Sequence, residues 1–231
     1  MIRFEELERL GVSVAAFSDK SDGDCGVTSR GDRAAFCARC GVDVRDLVTV
    51  RQVHGATALQ AWAEDKGRGA HEKESALGDA DALITNVTGL PVAVLVADCV
   101  PVYLCDPVSR AIGIVHAGRV GTRMNISGAT VAAMHVAYGA EPANLHALIG
   151  PCAGPEAYEV SQEIADDFSR AGLPTYGRRL DLWAANAQQL HAAGLLHVHI
   201  YIAALCTITD GRFHSHRANP DGRRNMALMM L

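Results

Sequence analysis

Residues 91–122 read PVAVLVADCVPVYLCDPVSRAIGIVHAGRVGT. Two apolar, β-branched runs in this stretch, residues 91–97 and 111–115, predict buried strands. The first ends at Ala97-Asp98-Cys99, the second at His116-Ala117-Gly118. Reactive groups at strand ends sit on a rigid frame beside loops that shape a pocket. Cys99 and His116 therefore read either as a thiol nucleophile with its general base or as two ligands of one metal. His54, which also follows an apolar run, is the third group such a site would draw in.

Composition bounds what surrounds that stretch. The chain has 231 residues, 49% hydrophobic and 20% charged, which suits a single domain over residues 1–231 with a core of ordinary size. Mean hydropathy is +0.08. No apolar run reaches the ~18 residues of a membrane helix. The opening MIRFEELERLG has no apolar signal region. Net charge is −5 and the 21 basic residues are dispersed, which argues against a nucleic-acid partner. Seven cysteines at irregular spacings, without a secretory signal, predict free thiols in a reducing cytoplasm rather than a disulfide framework.

Further out, residues 12–17 alternate as a first strand. Asp32 caps a short helix over 33–40 that stops at Gly41. A strand from 46 or 47 through Val53 closes at His54-Gly55, and residues 58–63 return beside it. Residues 64–79 are polar, carry three glycines, and predict a long surface loop or a mobile excursion rather than a domain boundary. Further strands are expected at 81–85, 145–149 and 197–202. Helices are expected over 121–140, from Ser161 to Arg170, and over 182–193. Strands and helices mix without a regular βαβ period, which favours a layered α+β fold over a Rossmann or barrel arrangement.

Two imidazoles and a thiolate, His54, Cys99 and His116, are the ligand types of a tetrahedral zinc site with one open position. Their spacing alone is a weak signal, since one buried cysteine and two structural histidines would give it too. Asp98 adds a carboxylate to orient an imidazole or accept a proton, or else caps a turn. Cys37-Ala-Arg-Cys40 is a lone C-x-x-C pair on a predicted helix, weak as a zinc or redox motif. His197-Val-His199 would place both rings on one face of a strand. Arg217, after His214-Ser-His216, suits an anionic group or a surface ion pair. Gly26, Gly31 and Gly55 make no phosphate-loop or dinucleotide pattern.

Taken together, Arg51-Gln52-Val53-His54-Gly55-Ala56, Ala97-Asp98-Cys99-Val100-Pro101, His116-Ala117-Gly118, Ile149-Gly150-Pro151-Cys152, Tyr158-Glu159-Val160, Cys206-Thr207 and Ser215-His216-Arg217 resemble the bacterial laccase-domain family. That family is also called the polyphenol oxidase or peptidoglycan editing factor family. The resemblance spans about residues 11–231. It implies a four-layer α/β/β/α sandwich similar to the cytotoxic necrotising factor cysteine hydrolases. It implies zinc on His54, Cys99 and His116, with copper attached to an older oxidase label. It further implies phosphorolysis of adenosine, inosine and S-methyl-5′-thioadenosine, and deamination of adenosine, by a monomer or homodimer. Asp98, Cys99 and His116 are then the catalytic candidates, and Gln52 and Arg217 the substrate-binding ones. The family's His-Ala-Gly-Trp-Arg-Gly is here His116-Ala117-Gly118-Arg119-Val120-Gly121, a departure that removes an arginine from its usual place. Two other readings stand beside this one: a Cys99–His116 hydrolase or amidase acting on peptidoglycan precursors, and a degenerate metal-binding member without catalysis.

Overall fold

A computed structural model describes residues 1–231. In chain order the strands are β1 (Ile2–Arg3), β2 (Val14–Phe17), β3 (Val48–Thr49), β4 (Ala58–Gln60), β5 (Ala82–Thr85), β6 (Val92–Val96), β7 (Val100–Asp106), β8 (Ala111–Ala117), β9 (His146–Ile149), β10 (Thr175–Tyr176), β11 (Arg179–Leu180), β12 (Ile200–Ile202) and β13 (Asn225–Met230). The helices are α1 (Glu5–Glu8), α2 (Arg30–Arg39), α3 (Arg119–Arg123), α4 (Ile126–Tyr138), α5 (Gln162–Arg170) and α6 (Leu182–Ala192). One sheet has the order β1-β2-β13-β6-β3, a second β12-β9-β7-β8-β5-β4, and β10-β11 form a separate ribbon.

The central strands of both sheets alternate between two apolar surroundings, so neither face is left to water. Along β6, Val92, Val94 and Val96 enter a core shared with Leu83, Tyr103, Ile112 and Ile114 of the other sheet, while Ala93 faces outward. The outward face of the five-stranded sheet packs on Phe36 and Cys37 of α2. The outward face of the six-stranded sheet, with Val102, Leu104 and Val115, packs on Val131 and Met134 of α4, Phe168 of α5 and Leu190 of α6. Burial on both faces explains why these strands read as continuous apolar runs. At Gly113 a Cβ would stand 3.1 Å from Met134 Sδ, so α4 lies close on β8.

Several expectations change. The first long helix begins at Arg30 with Ser29 at its N-cap, so Asp32 lies inside its first turn and does not cap it. Residues 91–122 hold three strands, not two, because β7 lies between the predicted pair. Pro101 near its start weakens the strand signature, yet the ladder accepts it opposite His116. Residues 58–63 do not return beside the preceding strand: β3 pairs with β6, and β4 pairs with β5 in the other sheet. The helix expected over 121–140 is broken at Asn125, which adopts left-handed φ 61° and caps α4 through Gly128 N–H at 3.2 Å. His197–His199 form a single 3-10 turn rather than strand.

Tyr103 ties the two sheets by a polar contact as well as by packing. Fully buried on β7, it donates its hydroxyl to the carbonyl of Ala16 on β2 at 2.8 Å. Tyr103→Phe is expected to destabilise the fold by about 1 kcal/mol, read as a lower urea midpoint with an unchanged slope. An unchanged midpoint would mean that packing alone joins the layers.

Candidate metal and active site

The chain passes from the five-stranded to the six-stranded sheet twice here, between β3 and β4 and again between β6 and β7. His54 lies in the first crossing, Cys99 in the second, and His116 is the penultimate residue of β8. One ligand atom from each falls within 4.8 Å of the others. The two rings meet edge to face, with centroids 4.8 Å apart. His116 is buried, Cys99 half-buried and His54 exposed, so the group opens on one side.

Asp81, fully buried one residue before β5, holds two of the three donors. Its carboxylate accepts the backbone N–H groups of Val53, His54 and Gly55 at 3.2, 3.0 and 2.6 Å. This clamps a turn in which His54 takes the left-handed φ of 59°, a conformation unusual for a residue with a side chain. The same carboxylate meets His116 Nδ1 at 2.8 Å. That contact leaves Nε2 as the ring nitrogen facing the site, the usual arrangement behind a metal-bound histidine. Burial pushes the Asp81 carboxyl up, but His116 and the turn amides outweigh it and hold it below the usual carboxylate range.

Electrostatics favour a deprotonated sulfur. Burial alone would raise the Cys99 thiol; the charge of His116 and hydrogen bonds from His116 and His54 overcome this and draw it down to about 6. Burial lowers His116, and Cys99 and Asp81 together raise it to about 9. In metal-free protein near neutrality, thiolate and imidazolium therefore face each other. Gly118 is required beside them, since a Cβ there would lie 2.8 Å from Cys99 Sγ and 3.3 Å from His54 Cδ2.

Asp98 does not orient an imidazole; Asp81 does. Asp98 is buried at φ 84°, and its carboxylate accepts the Thr207 hydroxyl at 2.6 Å and the Arg217 backbone N–H at 2.7 Å. It thereby joins three distant segments at the rim. Gln52 uses its amide as a surrogate strand, giving and accepting hydrogen bonds with the backbone of Leu95, both at 2.8 Å. The Arg217 guanidinium lies 5.1 Å from the Tyr158 ring centroid and donates to the Glu159 carbonyl at 2.6 Å.

A cavity of about 650 Å³ adjoins the three donors, with Gln52, Asp98, Arg119, Tyr158 and Arg217 in its walls. Arg119, which follows His116-Ala117-Gly118, reaches this cavity, whereas Val120 beside it is exposed. Residues 64–79 are not a free excursion. Arg68 donates to the carbonyls of Ala76 and Leu77, and Gly69 and Lys73 form part of the cavity wall.

The remaining sequence candidates lie elsewhere. Cys37 and Cys40 are buried in the apolar layer under α2, where burial pushes their thiols up to about 12 and about 11. His197 stacks on His191 and His199 on His146, forming two separate pairs. Asp81 was missed as a site residue; its signal was an acidic residue set directly before a wholly apolar strand.

Asp81→Asn is expected to weaken Zn²⁺ affinity by about 10- to 100-fold, measured by competition with a chromogenic chelator. Unchanged affinity would mean that the turn and ring hold without the carboxylate charge. In metal-free protein, the rate of Cys99 alkylation by iodoacetamide should fall as pH drops through about 6, because the thiolate is protonated there. An inflection near the ordinary thiol range, ~8.5, would show that His116 carries no charge beside it.

Residues 11–231 match the family described as multi-copper polyphenol oxidoreductase laccase. A protein named purine nucleoside phosphorylase from Xylella fastidiosa (strain 9a5c) is 38% identical over 90% of this chain and 83% of its own length. A protein named adenosine deaminase RL5, from an unknown prokaryotic organism, is 32% identical over 76% of this chain and 70% of its own. The crystal structure of a Bacillus licheniformis hypothetical protein, YfiH, superposes with a TM-score of 0.90 at 29% identity, covering 100% of this chain and 96% of that one. With its three donors contributed by the same motifs that carried the resemblance, the chain belongs to the polyphenol oxidoreductase laccase family.

Proposed function

We propose that the chain is a zinc-dependent enzyme of purine nucleosides, cleaving adenosine, inosine and S-methyl-5′-thioadenosine with phosphate and deaminating adenosine. The observation that carries this reading is the His54, Cys99 and His116 group opening on a cavity of about 650 Å³, within the ~300–1,000 Å³ range of small-ligand pockets. The relatives named for these two activities support it. A laccase reduces oxygen by four electrons and needs several metal centres, whereas this chain assembles one group of three close donors.

The donor chemistry fits zinc: a thiol already inclined to ionise and a histidine whose far nitrogen is held by a carboxylate. When bound, zinc supplies a Lewis acid with an open position that polarises a phosphate or water oxygen. The chain's own residues do the rest. Asp81 fixes the His116 ring. Asp98 retains a free lone pair on each carboxylate oxygen beyond its two hydrogen bonds. It accepts the proton of the attacking water and returns it to the departing amine of adenosine. In phosphorolysis the N9–C1′ bond breaks, a phosphate oxygen bonds to C1′, and the base leaves with the electron pair. Arg119 and Arg217 offer positive charge to phosphate or ribose from the cavity wall.

A second reading draws on one observation: a thiol lowered to about 6 beside an imidazole raised to about 9, with Asp81 behind it. That is the disposition of a cysteine nucleophile with an oriented base, and it suits an amidase acting on peptidoglycan precursors.

Metal analysis of purified protein with His54→Ala and Cys99→Ala separates the two. About one zinc per chain is expected, lost in both variants, with phosphate-dependent release of hypoxanthine from inosine abolished by chelation and restored by zinc. Copper in place of zinc would correct the metal, since a His₂Cys set also takes copper. Turnover that survives metal removal but not alkylation of Cys99 would overturn the zinc reading in favour of the hydrolase.

A further inference from the structure

Arg33 is a buried charge with no role in the site described so far. It sits in the first turns of α2, is only 1% exposed, and is the largest of the fully buried side chains. Its Nη2 donates to the Gly69 carbonyl at 3.2 Å. Its Nε and Nη1 are buried without a partner. The ionisable groups that act on its charge are the thiols of Cys25 and Cys37, which burial pushes up to about 12, so neither supplies a negative charge. A guanidinium taken out of water with no counter-charge is strongly unfavourable. Arginine does not relieve this by losing its proton.

Arg33 also lines the cavity that adjoins the three donors, together with Gly26, Thr28, Thr49, Lys73 and Arg224. Asp24 lies in the same wall, but its carboxylate is turned to Gly26 N–H at 2.8 Å, Ser29 Oγ at 2.6 Å and Arg224 N–H at 2.9 Å. It braces the loop that follows instead of neutralising Arg33. A buried cation with two unpartnered donor nitrogens, in a cavity wall with further basic side chains, is complementary to an oxyanion.

We propose that Arg33 anchors a phosphate subsite in the cavity of the three-donor group, taking either free phosphate or a phosphate ester carried by the substrate. The anion site rests on burial and unpartnered donors; its assignment to a co-substrate rests on the phosphorylase reading above.

The test is calorimetric titration of the zinc-loaded protein and its Arg33→Met variant with inorganic phosphate, adenosine 5′-monophosphate and adenosine. The variant should melt no lower than the parent in anion-free buffer, because it removes an uncompensated buried charge. Its phosphate affinity should fall by about tenfold or more, the order of one charge-assisted hydrogen bond, with adenosine affinity and zinc content unchanged. Loss confined to phosphate assigns the subsite to the free ion. A parent that prefers the monophosphate to adenosine, and a variant that does not, assigns it to an ester. Equal affinities in parent and variant for both anions overturn the proposal. Should Arg33→Met fail to fold, Arg33→Lys keeps the charge without the guanidinium, and anion affinities at the parental level in that variant also overturn it. A parent that cleaves no nucleoside but shows Arg33-dependent anion binding loses the enzymatic reading and keeps the subsite. Phosphorolysis with an unchanged phosphate KM in Arg33→Met does the reverse.

Discussion

The Asp81 carboxylate is the contact on which the site depends. A fully buried anion is tolerated only where its lone pairs are taken, and here three consecutive amides and an imidazole take them. The amides come from the turn of His54, and the imidazole belongs to His116. One side chain thus sets the backbone of one donor and the ring of another. The Asp81 carbonyl also accepts His116 N–H at 2.7 Å, so the register of β5 against β8 and the aim of the ring are fixed together. The left-handed backbone at His54, which costs on the order of 1–3 kcal/mol when unsupported, persists because the carboxylate over-determines it.

The motif residues were legible because each stands at the end of an apolar run, and the structure does bring His54, Cys99 and His116 together. The path between those runs was not legible. Periodicity reports which residues are buried; it does not report which sheet buries them. Both crossings from the five-stranded to the six-stranded sheet occur where a short segment, Gln52–Gly55 or Ala97–Cys99, reads in the sequence as the tail of a strand. Each crossing contains a non-glycine residue with positive φ, His54 at 59° and Asp98 at 84°. Such a conformation leaves no mark in a single sequence when the residue is not glycine. For the same reason residues 58–63 were paired with the wrong neighbour and β7 went unrecognised.

Polar partners were the other blind spot. In the sequence Asp98 suits an imidazole or a proton acceptor, yet it receives Thr207 and the amide of Arg217, more than a hundred positions later in the chain. Gln52 was read toward substrate, yet its amide completes the edge of β6 through Leu95. Nothing in the sequence around Arg33 marks it as buried. Its burial depends on residues 64–79 folding back over α2, with Gly69 meeting both Arg33 and Thr49. Contacts of this kind join positions far apart in the sequence, and no local pattern announces them.

The two crossings give the molecule a division of labour. The donors are set by where the sheets are stitched, so shifting one of them means repacking a core that is closed on both faces of each sheet. Part of the remaining cavity wall comes from strands and helices, through Thr49, Leu95 and Leu182, and part from segments between them: the stretch before α2, residues 64–79, and the loops carrying Tyr158 and Arg217. Those segments can lengthen, shorten or change charge while the stitch stays still. In such an arrangement the reactive centre and the surface that selects its ligand are mechanically separable. Arg119 shows the two parts meeting: one residue past His116-Ala117-Gly118, it already belongs to the wall and not to the donor group.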